Sequence, residues 1–222
     1  MLNTVESMCK RLDDCRLLVD ASSGVVASAT RDDRVKLALR ASTFVLAAAA
    51  IEEFFRGFVR ELAETVTLSS MTLADVATPI HAVHLAKAFR ALQDLRDPEK
   101  LWPVRVQVVS SHLDATRCAL DIQEDELWLK GATTRPQHVH TVWMLFCLSG
   151  QPFSALRQEV AMRAIADRRN GIAHGELDPM ALATDSEARP EILKDRLRAI
   201  EDWAFHCWES LQDYRSAKPF AA

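Results

Sequence analysis

The sequence predicts an all-α protein built as a helical bundle. Only 6 of its 222 residues are glycine and 8 are proline, which disfavours a loop-rich β-sandwich. Several long segments repeat apolar residues in alternating steps of four and three, which is the spacing of one helix face. Because such faces must be buried against one another, we expect helices packed around a core. The length favours a single domain over residues 1–222.

The first half of the chain is predicted to contain three helices. An amphipathic helix over Val5–Val19 lies in an N-terminal region that ends at Gly24. The next helix runs from about Asp32 to Leu68, with small residues in the middle of its buried seam. That seam comprises Leu37, Ala41, Phe44, Ala48, Ile51, Phe55, Phe58 and Leu62. A third helix is predicted over about Leu73–Leu95, because Asp97 and Pro98 then stop it.

The middle of the chain, residues 98–135, gives a pattern that fits two structures. Val104–Leu113 and Ala119–Leu129 can each be a helix or a short strand, since β-branched residues are frequent around Val104–Val109. We favour helix for both segments. Both alternatives leave the all-α prediction for the rest of the chain unchanged.

Three helices are predicted in the last part of the chain. Pro136 begins one that reaches Leu148, and a second runs from Pro152 to about Ile172. The GELDP segment at 175–179 then interrupts the chain. A long helix follows over about 190–215, and its apolar seam comprises Leu193, Leu197, Ile200, Ala204, Cys207, Leu211 and Tyr214.

Composition limits the kinds of partner and the compartment that we expect. The net charge is −4, so a nucleic-acid site would have to be a local basic cluster rather than a broad basic surface. The five cysteines form no CxxC pair, which favours reduced thiols. The N-terminus is polar and charged, and the longest apolar run, Phe44–Ile51, is too short to cross a bilayer. We therefore expect a cytoplasmic protein without membrane contact.

The stretch RRNGIAHGE at 168–176 places chemically useful groups close together. On a helix, Asn170 and His174 share a face, and the long side chain of Arg169 can reach the same side. Gly171 is expected to leave room for a ligand to approach the backbone. Histidine can transfer protons near neutral pH, and arginine binds phosphate with two hydrogen bonds. These groups suit RNA cleavage without a metal or cofactor, and a homodimer would supply a second histidine.

The same stretch also has a purely structural interpretation. Arginine and histidine near a helix C-terminus, followed by glycine, are what capping and dipole preferences produce. The spacing is weak evidence by itself, because Arg135 and His140 show it too. His81 and His84 lie three apart, but no nearby ligands complete a metal site there. We therefore predict neither a metal nor a cofactor.

Glu52 is a second candidate site residue. It lies among apolar neighbours on its helix, where a carboxylate is costly unless it is paired. Arg169 is a natural partner, and a structural ion pair with another arginine is the alternative. Glu53, which lies nearer Arg56 and Gly57, is expected to be solvated, although it could take the place of Glu52.

Three segments together resemble the HEPN superfamily, and in particular its RiboL-PSP type. RRNGIAHG resembles the R-N-x-x-x-H signature, FVLAAAAIEEFFRGFVRELAE looks like the first core helix, and RPQHVHTVWMLFCLSG is similar to the segment preceding the catalytic helix. The resemblance covers about 35–180. It implies a helical bundle that dimerises with its motifs at the shared interface, with the N-terminal and C-terminal helices as additions.

The resemblance also implies an activity. Many members of the family are metal-independent endoribonucleases that leave a 2′,3′-cyclic phosphate, and they serve as toxins or anti-phage effectors, at times with an antitoxin or another defence partner. Arg169 and His174 would be catalytic, Asn170 would support them, and Glu52 would be the acidic helix residue. Two alternatives stay open: a non-catalytic RNA- or nucleotide-binding module that regulates a partner, and a structural dimerisation domain.

Overall fold

Eight helices account for most of the residues that the structure describes. The structure is a computed structural model, which describes residues 2–24, 30–94, 98–115, 120, 122 and 133–221. The helices are α1 Leu2–Gly24, α2 Thr30–Leu68, α3 Thr78–His84, α4 Ala86–Asp94, α5 Pro98–Ala115, α6 Pro136–Leu145, α7 Leu156–Ala173 and α8 Pro190–Ala217. Three short 3-10 turns, Leu73–Asp75, Pro179–Ala183 and Ser186–Ala188, complete the regular elements of this part of the chain. The all-α prediction is confirmed.

The apolar seams predicted for the two longest helices are confirmed. Every residue named for the seam of α2 is buried, from Leu37 to Leu62. Every residue named for the seam of α8 is buried as well, from Leu193 to Tyr214. The four-three spacing is sufficient here because both helices are long enough to repeat it many times.

The described residues form two compact units. The first lies within Met1–Phe58, Ala132–Val139 and Gln151–Glu209, and the second within Val59–Gly131, His140–Gly150 and Ser210–Ala222. The prediction that these segments make a single domain stays a prediction. All four candidate site residues named from the sequence, Glu52, Arg169, Asn170 and His174, belong to the first unit.

The core of the first unit is organised around the Trp203 ring of α8. The ring meets Phe54 edge-on with centroids 5.4 Å apart, and it lies 6.1 Å from the Phe55 ring of α2 and 6.2 Å from the Phe153 ring. Ion pairs from α1 to α8 join Arg16 to Glu201 and Asp20 to Lys194. These contacts hold α8 beside α1 and α2. The candidate motif lies on a different helix, α7.

In the second unit, the segment predicted as one helix over Leu73–Leu95 is broken. A 3-10 turn comes first, and α3 and α4 follow as separate helices. Pro79 stands in the first turn of α3, where the missing N–H costs nothing, so the helix begins there. Immediately before it, Ala77 N–H donates to the Phe220 carbonyl at 2.8 Å, and Val76 forms an isolated bridge with Ala221. These distant partners hold the preceding residues in an extended conformation.

The ends of α6 and α7 also differ from the prediction. Helix α6 stops at Leu145 rather than Leu148, because Cys147 adopts a left-handed conformation with φ 57°. Helix α7 begins at Leu156 rather than Pro152, since the buried Gln158 side chain accepts from the backbone N–H groups of Ser154 and Ala155. Helix α5 confirms the helical prediction for Val104–Leu113, whereas most of Ala119–Leu129 lies outside the described residues.

Candidate functional site

The carboxyl end of α7 fixes the position of His174. The helix ends in a Schellman motif, in which Glu176 N–H donates to the Gly171 carbonyl at 2.9 Å and Gly175 N–H donates to the Ile172 carbonyl at 3.2 Å. Gly175 takes the left-handed conformation that this motif requires, with φ 71°. His174 is the C-cap residue, and its side chain is exposed. The capping interpretation of this glycine is therefore confirmed, and it leaves the imidazole accessible.

The space beside Gly171 is filled by the chain itself. A Cβ atom at this position would lie 3.1 Å from Leu177 Cβ, so the glycine makes room for Leu177 to fold back over the helix. The expectation that Gly171 leaves space for a ligand at the backbone is wrong. Because Gly171 has no side chain, the residues after Gly175 can turn back across this position and complete the helix cap.

Arg169 and Asn170 are joined in a small hydrogen-bond network. Arg169 Nη1 donates to Asn170 Oδ1 at 3.1 Å, and Thr133 Oγ1 donates to the same oxygen at 2.7 Å. Asn170 and Arg169 are half-buried, while Thr133 is only 8% exposed. Within the described part of the chain, no carboxylate lies at ion-pair distance from Arg169. Among the described residues, the Asn170 oxygen is therefore the side-chain partner of this guanidinium.

The adjacent arginine, Arg168, is paired with a carboxylate. Arg168 Nε and Nη2 donate to the two carboxylate oxygens of Asp185 at 3.0 and 3.1 Å. Asp185 Oδ1 also accepts from Glu187 N–H, and Glu187 is itself held by both Nε and Nη2 of Arg196 on α8. This charged ladder, Arg168–Asp185–Glu187–Arg196, anchors the segment that follows the motif to α7 and α8. The two arginines of the motif thus differ: Arg168 is paired with Asp185, whereas Arg169 has no carboxylate partner among the described residues.

The ladder makes stability depend on pH. The hydrogen bonds from Arg168 lower the pKa of Asp185, and those from Arg196 lower the pKa of Glu187. Because both values are lower in the folded protein than in the unfolded chain, the stabilisation is complete above the unfolded values and is lost as the pH falls through the folded ones. We expect Asp185→Asn to cost about 1–3 kcal/mol at pH 7 and much less near pH 2, measured by urea unfolding.

The control for this prediction is Asp202→Asn. Asp202 also accepts a hydrogen bond from an arginine, Arg157, at 2.7 Å, but that pair is more exposed. Its loss should cost less than about 1 kcal/mol. Equal pH dependence of the unfolding free energy in wild type and Asp185→Asn would show that the ladder does not contribute to stability.

Glu52 does not pair with Arg169. Its carboxylate lies 3.8 Å from Arg56 Nη2, one helical turn along α2, and its side chain is 17% exposed. The Oε1 atom is buried without a hydrogen-bond partner in the described structure. The expected pairing with Arg169 is therefore wrong, and the alternative of an ion pair with another arginine fits. Arg56 is preferred because residues four apart on one helix are already neighbours. Glu53 is exposed and pairs with Arg11 at 2.6 Å.

Two groups at this site were missed by the sequence analysis. Thr133 and Asp185 contact the motif from positions 37 and 17 residues away from their partners. The sequence contained one indication of Asp185. Arg168 stands next to Arg169, the residue predicted to bind phosphate, and a second arginine in that place needs an acidic partner of its own. The residues Arg135 and His140, which share the motif spacing, are placed differently: Arg135 is paired with Asp167 at 2.8 Å.

Comparisons with known proteins add no assignment. No family model, curated protein or solved structure matches the chain. Within the described residues, no cluster of three or more His, Cys, Asp and Glu side chains could hold a metal ion. None of the described helices combines the length and the hydrophobicity that a bilayer span requires.

Proposed function

We propose that this chain is a HEPN-type, metal-independent endoribonuclease that acts in the cytoplasm as a homodimer. The observation that carries the proposal is the contrast between two adjacent arginines. Arg168 is neutralised by Asp185, whereas Arg169 is half-exposed, has no described carboxylate partner and is held beside Asn170. A structural dimerisation domain gives no reason to keep a guanidinium without a described carboxylate partner in that place, whereas phosphate binding does.

The proposed reaction is a transfer within the RNA backbone. The 2′-hydroxyl loses its proton and its oxygen attacks the adjacent phosphorus, forming the O2′–P bond. The P–O5′ bond breaks, and the leaving O5′ takes up a proton. The products are a 2′,3′-cyclic phosphate and a 5′-hydroxyl. Arg169 stabilises the charge that develops on the phosphoryl oxygens, and His174 transfers one of the two protons.

The dimer follows from the proton balance of this reaction. One proton leaves the 2′-hydroxyl and another reaches the 5′-oxygen, so two groups in opposite protonation states are needed. Each chain offers one histidine in the motif, and a second copy of the site supplies the other. Glu52 is assigned no step, because its described ion pair is with Arg56.

The proposal is tested by incubating the purified protein with total RNA in excess EDTA and analysing the fragment ends. Cleavage with 2′,3′-cyclic phosphate ends is expected from wild type and not from Arg169→Ala. Arg163→Ala is the matched control, since it removes the same charge from an exposed position on the same helix, where the partner is Glu159. RNA binding without cleavage would instead support a non-catalytic module. Intact RNA and no binding would refute both.

A further inference from the structure

Thr133 lies just before α6, in residues that are attached to α7 at two points. Its hydroxyl donates to Asn170 Oδ1 at 2.7 Å, and two residues later Arg135 Nη1 donates to Asp167 Oδ1 at 2.8 Å. Asp167 and Asn170 are three apart on α7, so both attachments fall on one side of the helix. The segment therefore has a fixed position relative to the motif, and the Thr133 hydroxyl is fixed with it.

The contact with Arg169 determines which way the Asn170 amide points. A guanidinium can only donate hydrogen bonds, so the Asn170 atom that Arg169 approaches must be the carbonyl oxygen. The same oxygen accepts from Thr133, whose hydroxyl could serve either amide atom and therefore acts here as a donor that holds the oxygen in place. Nδ2 is consequently turned away from both, and no acceptor in the described part of the chain bonds to it. Within the described residues, the two N–H groups of Asn170 therefore have no acceptor, and the inference assigns them to an external one.

We propose that Thr133 is a positioning residue of the RNA site. It acts through Asn170, whose oxygen it shares with Arg169, and it holds the amide in the orientation that leaves Nδ2 and the remaining Arg169 donors for the phosphate backbone of RNA. This inference rests on the proposed function for the identity of the anion. The inference states that the hydrogen-bond donors of the site are oriented before the ligand binds. Packing without the Thr133 hydrogen bond would not orient them in this way.

The test compares Thr133→Val with Thr133→Ser. Valine keeps the shape of the buried residue and removes the hydroxyl, while serine keeps the hydroxyl and removes a methyl group. We expect Thr133→Val to lower kcat/KM for RNA cleavage by about three- to tenfold, as for the loss of one hydrogen bond, and Thr133→Ser to stay within about twofold of wild type. Thr134→Val is the matched control, because the neighbouring threonine is also buried and makes no side-chain hydrogen bond among the described residues.

A binding measurement separates this inference from the proposed activity. A 2′-O-methyl oligoribonucleotide cannot be cleaved, and Thr133→Val should weaken its binding by about the same factor. Wild type that binds without cleaving would refute the nuclease and leave Thr133 to be judged by affinity. Equal affinity and kcat/KM in wild type and Thr133→Val would overturn the inference, and so would equal losses in the valine and serine variants. No RNA binding by wild type would overturn both proposals.

Discussion

Replacing His174 by alanine is expected to lower the rate of RNA cleavage by about 10²–10⁴-fold, the range for a lost proton-transfer group. The fold should be unaffected, because the imidazole is exposed and the described hydrogen bond of this residue runs from its backbone N–H to the Asn170 carbonyl at 3.0 Å. The measurement is the initial rate of cleavage in EDTA. Thermal unfolding of the same samples verifies that the variant is folded.

His140→Ala is the control for this variant. His140 is also exposed and follows Arg135 by the same five positions, but it lies on α6 and Arg135 is occupied by Asp167. Its replacement should leave the rate within about twofold of wild type. If the family resemblance extends to toxicity, expression of wild type arrests growth and His174→Ala relieves the arrest. A His174→Ala rate within tenfold of wild type would remove the histidine from the mechanism.

Asn170→Asp is expected to abolish activity almost as completely, by about 10²–10³-fold, although the side chain has nearly the same shape. A carboxylate at this position still accepts from Thr133, but it also forms an ion pair with Arg169, whose Nη1 already lies 3.1 Å from Oδ1. The guanidinium would then be neutralised in the same manner as Arg168. Cleavage rate and affinity for a 2′-O-methyl oligoribonucleotide should both fall, while the unfolding free energy should not fall below that of wild type.

Comparison with Asn170→Ala separates the loss of the amide from the effect of the new carboxylate. Alanine removes the amide and gives Arg169 no new carboxylate partner, so this variant should bind RNA more tightly than Asn170→Asp does. This order is the reverse of what side-chain similarity alone predicts. An alanine variant that is as defective as the aspartate variant would show that the unpaired charge of Arg169 is not what the site requires.

The sequence predicts well those features that depend on neighbouring residues along one helix. The seams of α2 and α8 and the position of Arg169, Asn170 and His174 near a helix end follow from spacing and capping. The errors arise where distant residues decide. The break between the 3-10 turn at Leu73 and α3 depends on Phe220 and Ala221, which no local pattern reveals. Thr133 was missed for the same reason, and Glu52 was assigned a distant partner when a near one was available.

The left-handed backbone at Gly175 has a genetic consequence. Most other residues there, with asparagine as the usual exception, would strain the turn by about 1–2 kcal/mol, and we expect that strain to displace the imidazole that precedes it. If expression of the protein arrests growth, a selection for escape should therefore recover substitutions at Gly175 as well as at His174. These substitutions would replace a residue that has no side chain with which to contact RNA. The variant proteins should still accumulate in the folded state.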